Sequence, residues 1–203
     1  MNKINYQKLL DAEILKVLEK DLKPKLLLHA CCAPCSSYVL DYLSKYFKIT
    51  VYYYNPNIAT IDEYNYRASE LNRFIKEINI DDIDLVIEKY NHDEFLNNIK
   101  GMEAYKEGGA RCFKCYRLRL EKSTEYAVNN KFDYITTTLS ISPLKNAEKL
   151  NEIGMELAEK YNINYLFSDF KKKDGYKKSV ELSNKYNLYR QNYCGCEFSK
   201  SHT

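Results

Sequence analysis

The sequence predicts an α/β fold, with a parallel sheet of about five strands and helices on both of its faces. Short apolar segments alternate with longer segments that repeat apolar residues at helical spacing, a pattern typical of a doubly wound sheet. A cysteine-rich segment follows the first apolar run directly, where open α/β sheets bind their ligands. The length of 203 residues, 45% of them hydrophobic, favours a single domain with one buried core.

The strands are predicted from short apolar runs bounded by polar or turn-forming residues. The first run, Leu26 to Ala30, is followed by the cysteine-rich segment, and the second leads into the turn Asn55-Pro56-Asn57. The five predicted strands are Leu26–Ala30, Ile49–Tyr54, Asp84–Glu88, Asp133–Thr138 and Tyr165–Phe167.

The helices are predicted from apolar residues three or four positions apart. An N-terminal helix from Tyr6 to Lys20 ends before Pro24, so residues 1–24 are interpreted as a helical extension of an α/β domain at residues 25–203. The later predicted helices are Ser36–Tyr46, Asp62–Ile78, Asp93–Ile99, Cys112–Asn129 and Asn146–Tyr161.

The first cysteine group is Cys31-Cys32-Ala33-Pro34-Cys35, which places three thiols within five residues. It lies between the first strand and the helix after it. The N-terminus of a helix carries a partial positive charge, which favours thiolate over thiol. This segment is therefore predicted to bind metal or to carry out redox chemistry.

The second group is Cys112-Phe113-Lys114-Cys115, whose two cysteines share one helical face. Alone, this spacing is compatible with zinc, an iron–sulfur centre or a redox dithiol. Together the two groups supply five candidate thiolates. Because adjacent Cys31 and Cys32 cannot easily bind one small ion, an iron–sulfur centre is favoured over a structural zinc site.

The third group, Cys194-Gly195-Cys196, could close only a small, strained disulfide ring. Strained disulfides are easily reduced, which suits an electron relay. The spacing used by radical enzymes that cleave S-adenosylmethionine is absent, because Tyr38 stands where a third cysteine would be needed after Cys31 and Cys35.

Composition also restricts the location and the partners. The N-terminus has no apolar signal segment, and no stretch reaches the length of about 18 apolar residues that spans a bilayer. We therefore expect a cytoplasmic protein without a membrane partner, in which seven cysteines act in metal or redox chemistry rather than in structural disulfides. A net charge of +3 permits a polyanionic partner without arguing for one.

Five stretches, in order along the chain, resemble the metal-dependent, cobalamin-independent epoxyqueuosine reductase family. Five stretches in one order are far more specific than a single CxxC pair. The matching segments are Leu27–Cys35, Tyr54–Ile58, Gly108–Leu120, Thr136–Pro143 and Leu188–Cys196.

This resemblance implies a Rossmann-like fold of the HUP type and the conversion of epoxyqueuosine to queuosine in tRNA, the last step of queuosine biosynthesis. It implies a redox-active pair at Cys194 and Cys196, and an unidentified electron donor. It also implies a [4Fe-4S] cluster with four ligands: Cys31, Cys32, Cys112 and Cys115. Ala59 and Ala147 stand where the family pattern has histidines, so those positions receive no catalytic role.

Cys35 is then one thiolate more than a four-cysteine cluster needs. We hypothesise that it joins Cys32 or a cluster sulfide in binding an additional iron ion with an open coordination position. Three further residues are candidates for contacting the substrate. Arg111 and Arg119 could bind a phosphate or stabilise an oxyanion, and Tyr116 could act as an acid or simply pack.

Two alternatives remain at the level of sequence. One is a non-catalytic, zinc-stabilised RNA-binding module, which would be colourless, whereas an iron–sulfur protein is brown. The other is a tRNA-thiolation enzyme of the same fold superclass, which would need a glycine- and serine-rich phosphate loop where Cys31 to Cys35 stand. The basic residues Lys171–Lys173, Lys177 and Lys178 could follow an RNA backbone or form a solvated surface.

Overall fold

The computed structural model describes residues 4–19 and 23–199 and confirms the α/β class. Its five strands form one parallel sheet in the order β3-β2-β1-β4-β5. The strands are β1 (Lys25–Ala30), β2 (Lys48–Tyr53), β3 (Ile83–Ile87), β4 (Tyr134–Thr137) and β5 (Asn164–Tyr165). The α-helices are α1 (Tyr6–Leu18), α2 (Ala33–Leu43), α3 (Ile61–Ile78), α4 (His92–Ile99), α5 (Ala110–Asn129), α6 (Ala147–Tyr161) and α7 (Gly175–Lys185).

Strand β1 is central and pairs with β2 on one side and β4 on the other, so that Leu26 lies opposite both Ile49 and Tyr134. Strands β2 and β3 therefore extend the sheet on one side of β1, and β4 and β5 extend it on the other side. Such a switch point opens a crevice at the carboxyl ends of the central strands. The first cysteine group follows β1, and a 3-10 helix at Thr138–Ile141 follows β4, so both enter this crevice.

Alternate side chains of β1 supply the cores on the two faces of the sheet. Leu26 and Leu28 pack in a cluster with residues of α1, α2 and α3, whereas Leu27 packs with Ala127 of α5 and Ile135 of β4. This alternation is the period of two expected for a strand that is buried on both faces.

Helix α1 packs onto the sheet instead of standing apart from it. Leu10, Ile14 and Val17 belong to the same buried cluster as Leu26 and Leu28. The predicted end of this helix, Lys20, lies outside the described residues. Within the described ranges, no helix combines the length and the apolar character needed to cross a bilayer.

One difference from the predicted elements concerns the first cysteine group directly. Helix α2 begins at Ala33 rather than Ser36, because Pro34 is favoured in a first helical turn and Cys32 takes the N-cap position. Cys35 therefore lies within the first turn of the helix. Smaller shifts affect β3, β4 and β5, of which β5 ends at Tyr165 instead of Phe167.

Helix α7 was not predicted at all. Its buried positions include Gly175, Ser179 and Ser183, which are small or polar and leave no apolar stripe to detect. Small residues allow close packing, and a Cβ built on Gly175 would lie 1.9 Å from the Phe170 carbonyl oxygen. Only the tertiary contact therefore defines this helix.

Candidate metal and redox centre

The first cysteine group forms a compact cluster of three sulfurs at the end of β1. The Sγ atoms of Cys31, Cys32 and Cys35 all lie within 4.8 Å of one another, and those of Cys31 and Cys32 are 3.6 Å apart. Among the residues that the structure describes, no other group of three or more His, Cys, Asp or Glu ligand atoms is this compact. Three thiolates that converge in this way suit iron or zinc.

The pKa values of these three thiols are shifted in different directions. Hydrogen bonds from Cys32 and Cys35 lower the pKa of the Cys31 thiol well below its usual value. The hydrogen bond with Cys31 is in turn the main cause that raises the pKa of Cys32 to about 12, and hydrogen bonds with Cys31 and Cys32 raise the pKa of Cys35 well above its usual value. A bound metal would displace the remaining protons, since thiolates rather than thiols are metal ligands.

His29, two residues before this group, is fully buried and remains neutral. Burial is the main cause that lowers its pKa to about 3, and the charge of Arg119 adds to it. Its Nε2 lies 3.2 Å from the carbonyl oxygen of Tyr54, which can only accept, so Nε2 carries the proton. Nδ1 then accepts from the Thr137 hydroxyl at 2.8 Å. The imidazole thus links β1 by hydrogen bonds to β4 and to the residue that follows β2, two residues before the first cysteine.

Cys112 and Cys115 lie in the first two turns of α5, two and five residues after its first residue, Ala110. The Gly108 N–H donates to Cys112 Sγ at 3.2 Å. Cys115 is buried, and burial raises the pKa of its thiol to about 11. The pair is not part of the 4.8 Å cluster formed by the first group.

Two adjoining cavities contain all seven cysteines. The first cavity, of about 400 Å³, is lined by the first cysteine group and by Cys194. The second, which is smaller, is lined by the cysteines of the other two groups: Cys112, Cys115, Cys194 and Cys196. Four residues line both cavities, namely Glu107, Arg119, Lys145 and Cys194. The fold therefore brings the three cysteine groups to one place.

The Cys194-Gly195-Cys196 segment is fixed by contacts with the loop after β2 and with α3. The Ala59 N–H donates to the Gly195 carbonyl at 3.0 Å, and Arg67 Nη1 donates to the Cys194 carbonyl at 3.3 Å. Gly195 has a φ of +98°, and a Cβ there would lie 3.1 Å from Arg67 Nη1. Glycine is thus required here both by backbone conformation and by space.

Lys145 is a site residue that the sequence analysis missed. Its side chain is only 8% exposed, and its Nζ lies 3.1 Å from Cys194 Sγ and 3.4 Å from Glu107 Oε1. Burial is the largest single effect and would lower the pKa of this ammonium, but Cys194, Tyr116 and Glu107 together outweigh burial and raise it. Lys145 lies two residues after the Thr136–Pro143 stretch, and no local pattern separates it from the other lysines of the chain.

The three candidate substrate contacts are all buried. Arg119 donates to Asn55 Oδ1 and lines both cavities. Tyr116 lines the second cavity; its hydroxyl has no hydrogen-bond partner within the described part of the chain, and burial raises its pKa. Arg111 also lines this cavity but is held by the carbonyl oxygens of Glu103 and Phe198. Arg119 and Tyr116 are therefore better placed than Arg111 to meet a ligand.

Comparison with known proteins gives consistent matches along the chain. A family model described as epoxyqueuosine reductase QueH matches residues 26–202. Curated proteins named epoxyqueuosine reductase QueH are similar to the chain. The one from Streptococcus pyogenes serotype M1 is 41% identical over 97% of this chain and 78% of its own length.

The corresponding protein of Staphylococcus aureus is 41% identical over 97% of this chain and 84% of its own length. A more distant relative from Thermotoga maritima is 33% identical over 85% of this chain and 88% of its own length. The similarity therefore covers at least 78% of each of these proteins, and the range matched by the family model, residues 26–202, contains all seven cysteines described above.

Proposed function

Because the chain belongs to the epoxyqueuosine reductase QueH family, we propose that its two cysteine-lined cavities form one centre that removes the epoxide oxygen of epoxyqueuosine in tRNA. The chain is an oxidoreductase of queuosine biosynthesis. The observation that carries the proposal is the convergence of all seven cysteines on two cavities that share Cys194. We also propose a cytoplasmic location, because cysteines that act as metal ligands and as a redox dithiol need a reducing compartment.

The cysteines fit an iron–sulfur centre by number and by chemistry. We assign Cys31, Cys32, Cys112 and Cys115 as ligands of a [4Fe-4S] cluster, and Cys35 as a ligand of an additional iron ion beside Cys32. The close approach of the Cys35 sulfur to those of Cys31 and Cys32 supports the second assignment, since the assigned four-cysteine cluster takes only the latter two. When bound, iron with an open position would polarise the C–O bond of the epoxide as a Lewis acid.

The redox balance assigns a role to the third cysteine group. Conversion of the epoxide to an alkene consumes two electrons and two protons and releases water. Oxidation of the Cys194 and Cys196 thiols to a disulfide supplies two electrons and two protons, so the two half-reactions balance. A dithiol of the donor, whose identity is open, would then reduce the disulfide by thiol–disulfide exchange.

The remaining side chains stabilise charge and exclude water. Arg119 stays charged and is fully buried, so it can stabilise the negative charge that develops on the epoxide oxygen. Tyr116 stays neutral because burial raises its pKa, and its unpartnered hydroxyl is available as a hydrogen-bond or proton donor.

The direct test is anaerobic purification with iron and sulfide analysis, followed by an assay on tRNA that contains epoxyqueuosine. We expect a brown protein that converts epoxyqueuosine to queuosine with a thiol reductant. A colourless, zinc-loaded protein without turnover would instead support the RNA-binding module.

Replacing Cys35 by alanine tests the additional iron ion. We expect Cys35→Ala to bind about one iron atom fewer per chain, and to lose most of its turnover, because its open-site metal loses a thiolate ligand. Metal analysis and the tRNA assay measure both effects. If the variant keeps its metal content and its rate, the extra iron site does not exist.

Replacing Lys145 by methionine tests the contact with Cys194. Because the Lys145 ammonium lies 3.1 Å from Cys194 Sγ, it holds this sulfur in position and can stabilise negative charge that develops on it during reaction. Lys145→Met is therefore expected to slow alkylation of Cys194 by iodoacetamide and to lower turnover by about tenfold. Iron content should not change. Lys160→Met, at a surface ion pair with Glu121, is the matched control. Equal alkylation rates in the two variants would contradict this role.

A further inference from the structure

The wall of the first cavity contains an unsatisfied polar group that the reaction at the cysteines does not use. Five consecutive residues, Arg190 to Cys194, line this cavity. Within that segment, the side-chain Oε1 of Gln191 is buried and has no hydrogen-bond partner among the described residues. A buried acceptor is destabilising unless a ligand or water satisfies it, so this position calls for a donor inside the cavity.

The two ends of the segment Arg190–Cys194 line different parts of the cavities. Its last residue, Cys194, lines both cavities, whereas Arg190 and Gln191 line only the first. The same holds for Tyr176 of α7, which also lines only the first cavity. Cys194 therefore lies where the two cavities meet, next to the metal and redox residues. Of the two cavities, only the first gives access to Arg190, Gln191 and Tyr176.

Two planar side chains, those of Arg190 and Tyr176, lie in the part of the first cavity that is not shared with the second. The Arg190 guanidinium lies over the Tyr176 ring, with its Cζ 5.8 Å from the ring centroid, and Arg190 Nη2 contacts the Tyr176 hydroxyl at 3.4 Å. Tyr176 is 39% exposed although it lines a cavity. Proteins use exposed aromatic rings and guanidinium planes of this kind to stack on unpaired RNA bases.

We propose that Tyr176, Arg190 and Gln191 form a nucleobase subsite, which takes the guanine-like base of the substrate nucleoside and directs its epoxide ring toward the cysteines. The Watson–Crick edge of such a base presents N–H donors, which complement the unpartnered Gln191 oxygen. A cavity of about 400 Å³ accommodates one nucleoside, so the neighbouring nucleotides must remain outside it. This subsite rests on the proposed function and specifies how its substrate is recognised.

Helix α7 is placed to meet those neighbouring nucleotides. Lys172 and Lys177, on either side of the start of α7, are exposed. In contrast, Lys171 pairs with Asp169 at 3.0 Å and Lys173 pairs with Asp11 at 2.7 Å. Two lysines of the basic run are thus engaged in ion pairs, whereas Lys172 and Lys177 are available to an RNA backbone.

The experiment uses the full chain, purified anaerobically with its iron. Gln191→Met removes the acceptor at nearly constant size, and Tyr176→Ala removes the exposed ring. Each is expected to raise the KM for epoxyqueuosine-containing tRNA by about tenfold, with a smaller effect on kcat, because lost hydrogen bonding or stacking weakens binding of the base. The Kd of a fluorescent anticodon stem-loop RNA that carries epoxyqueuosine should rise to the same extent.

Tyr176→Phe is expected to restore most of the affinity lost in Tyr176→Ala, since it keeps the stacking surface. Tyr66→Ala is the matched control, because Tyr66 is similarly exposed at 50% but lines neither of the two cavities. All variants should keep the iron content of the wild type. If the wild-type chain converts the tRNA but both Gln191→Met and Tyr176→Ala keep its KM and Kd within about twofold, the subsite is wrong. If the wild-type chain itself fails to convert the tRNA, the proposed function fails instead.

Discussion

A Cys112→Ser protein is expected to bind far less iron and sulfide than the wild-type chain and to convert no epoxyqueuosine. Serine replaces a soft thiolate with a hydroxyl that binds iron poorly, and a [4Fe-4S] cluster depends on all four of its ligands. Cys112 lies in the first turn of α5, where its sulfur accepts only the Gly108 N–H within 3.2 Å. The serine hydroxyl can accept the same bond, so the fold should be retained.

Iron and sulfide analysis, the visible absorption spectrum and thermal unfolding together measure this effect. Lys114→Ala is the matched control, because Lys114 is exposed and lies between the two cysteines of this group. It should keep both the cluster and the rate. A Cys112→Ser protein that carries its full complement of iron would defeat the ligand assignment.

The second large effect is expected at the CGC segment. Cys194→Ala should keep its iron and its spectrum but lose multiple turnover with a thiol reductant, since a single remaining thiol cannot form the disulfide that supplies two electrons. The variant should keep its fold, because the hydrogen bonds to the Cys194 and Gly195 carbonyl oxygens remain in place and only the contacts of Cys194 Sγ with Lys145 and Asn57 are lost.

Cys196→Ala should have the same phenotype for the same reason. The two variants together distinguish a redox pair from a single nucleophile, which would make only one of them inactive. Retained turnover in Cys194→Ala would show that electrons reach the metal directly. The segment would then be a structural tail.

Local pattern placed two of the three cysteine groups at element boundaries. The buried run at β1 is followed at once by Cys31, and helical spacing after Gly109 begins at the Cys112 pair. Pattern could not place the exact start of α2, because Pro34 and Cys35 are compatible with either a loop or a first helical turn. It missed α7 because close packing of Gly175 and Ser179, rather than an apolar stripe, holds that helix in place.

By itself the sequence determined the α/β class, the alternation of strands and helices, and the presence of three cysteine groups suited to metal or redox chemistry. Only the tertiary structure decided which polar side chains lie next to the cysteines in the cavities. Lys145 meets Cys194 across 49 positions of the chain, and Arg119 meets Asn55 across 64. Such contacts depend on the order of strands in the sheet and on helix packing, which bring distant residues to one crevice. Local periodicity encodes burial, but it carries no information about which buried groups face each other.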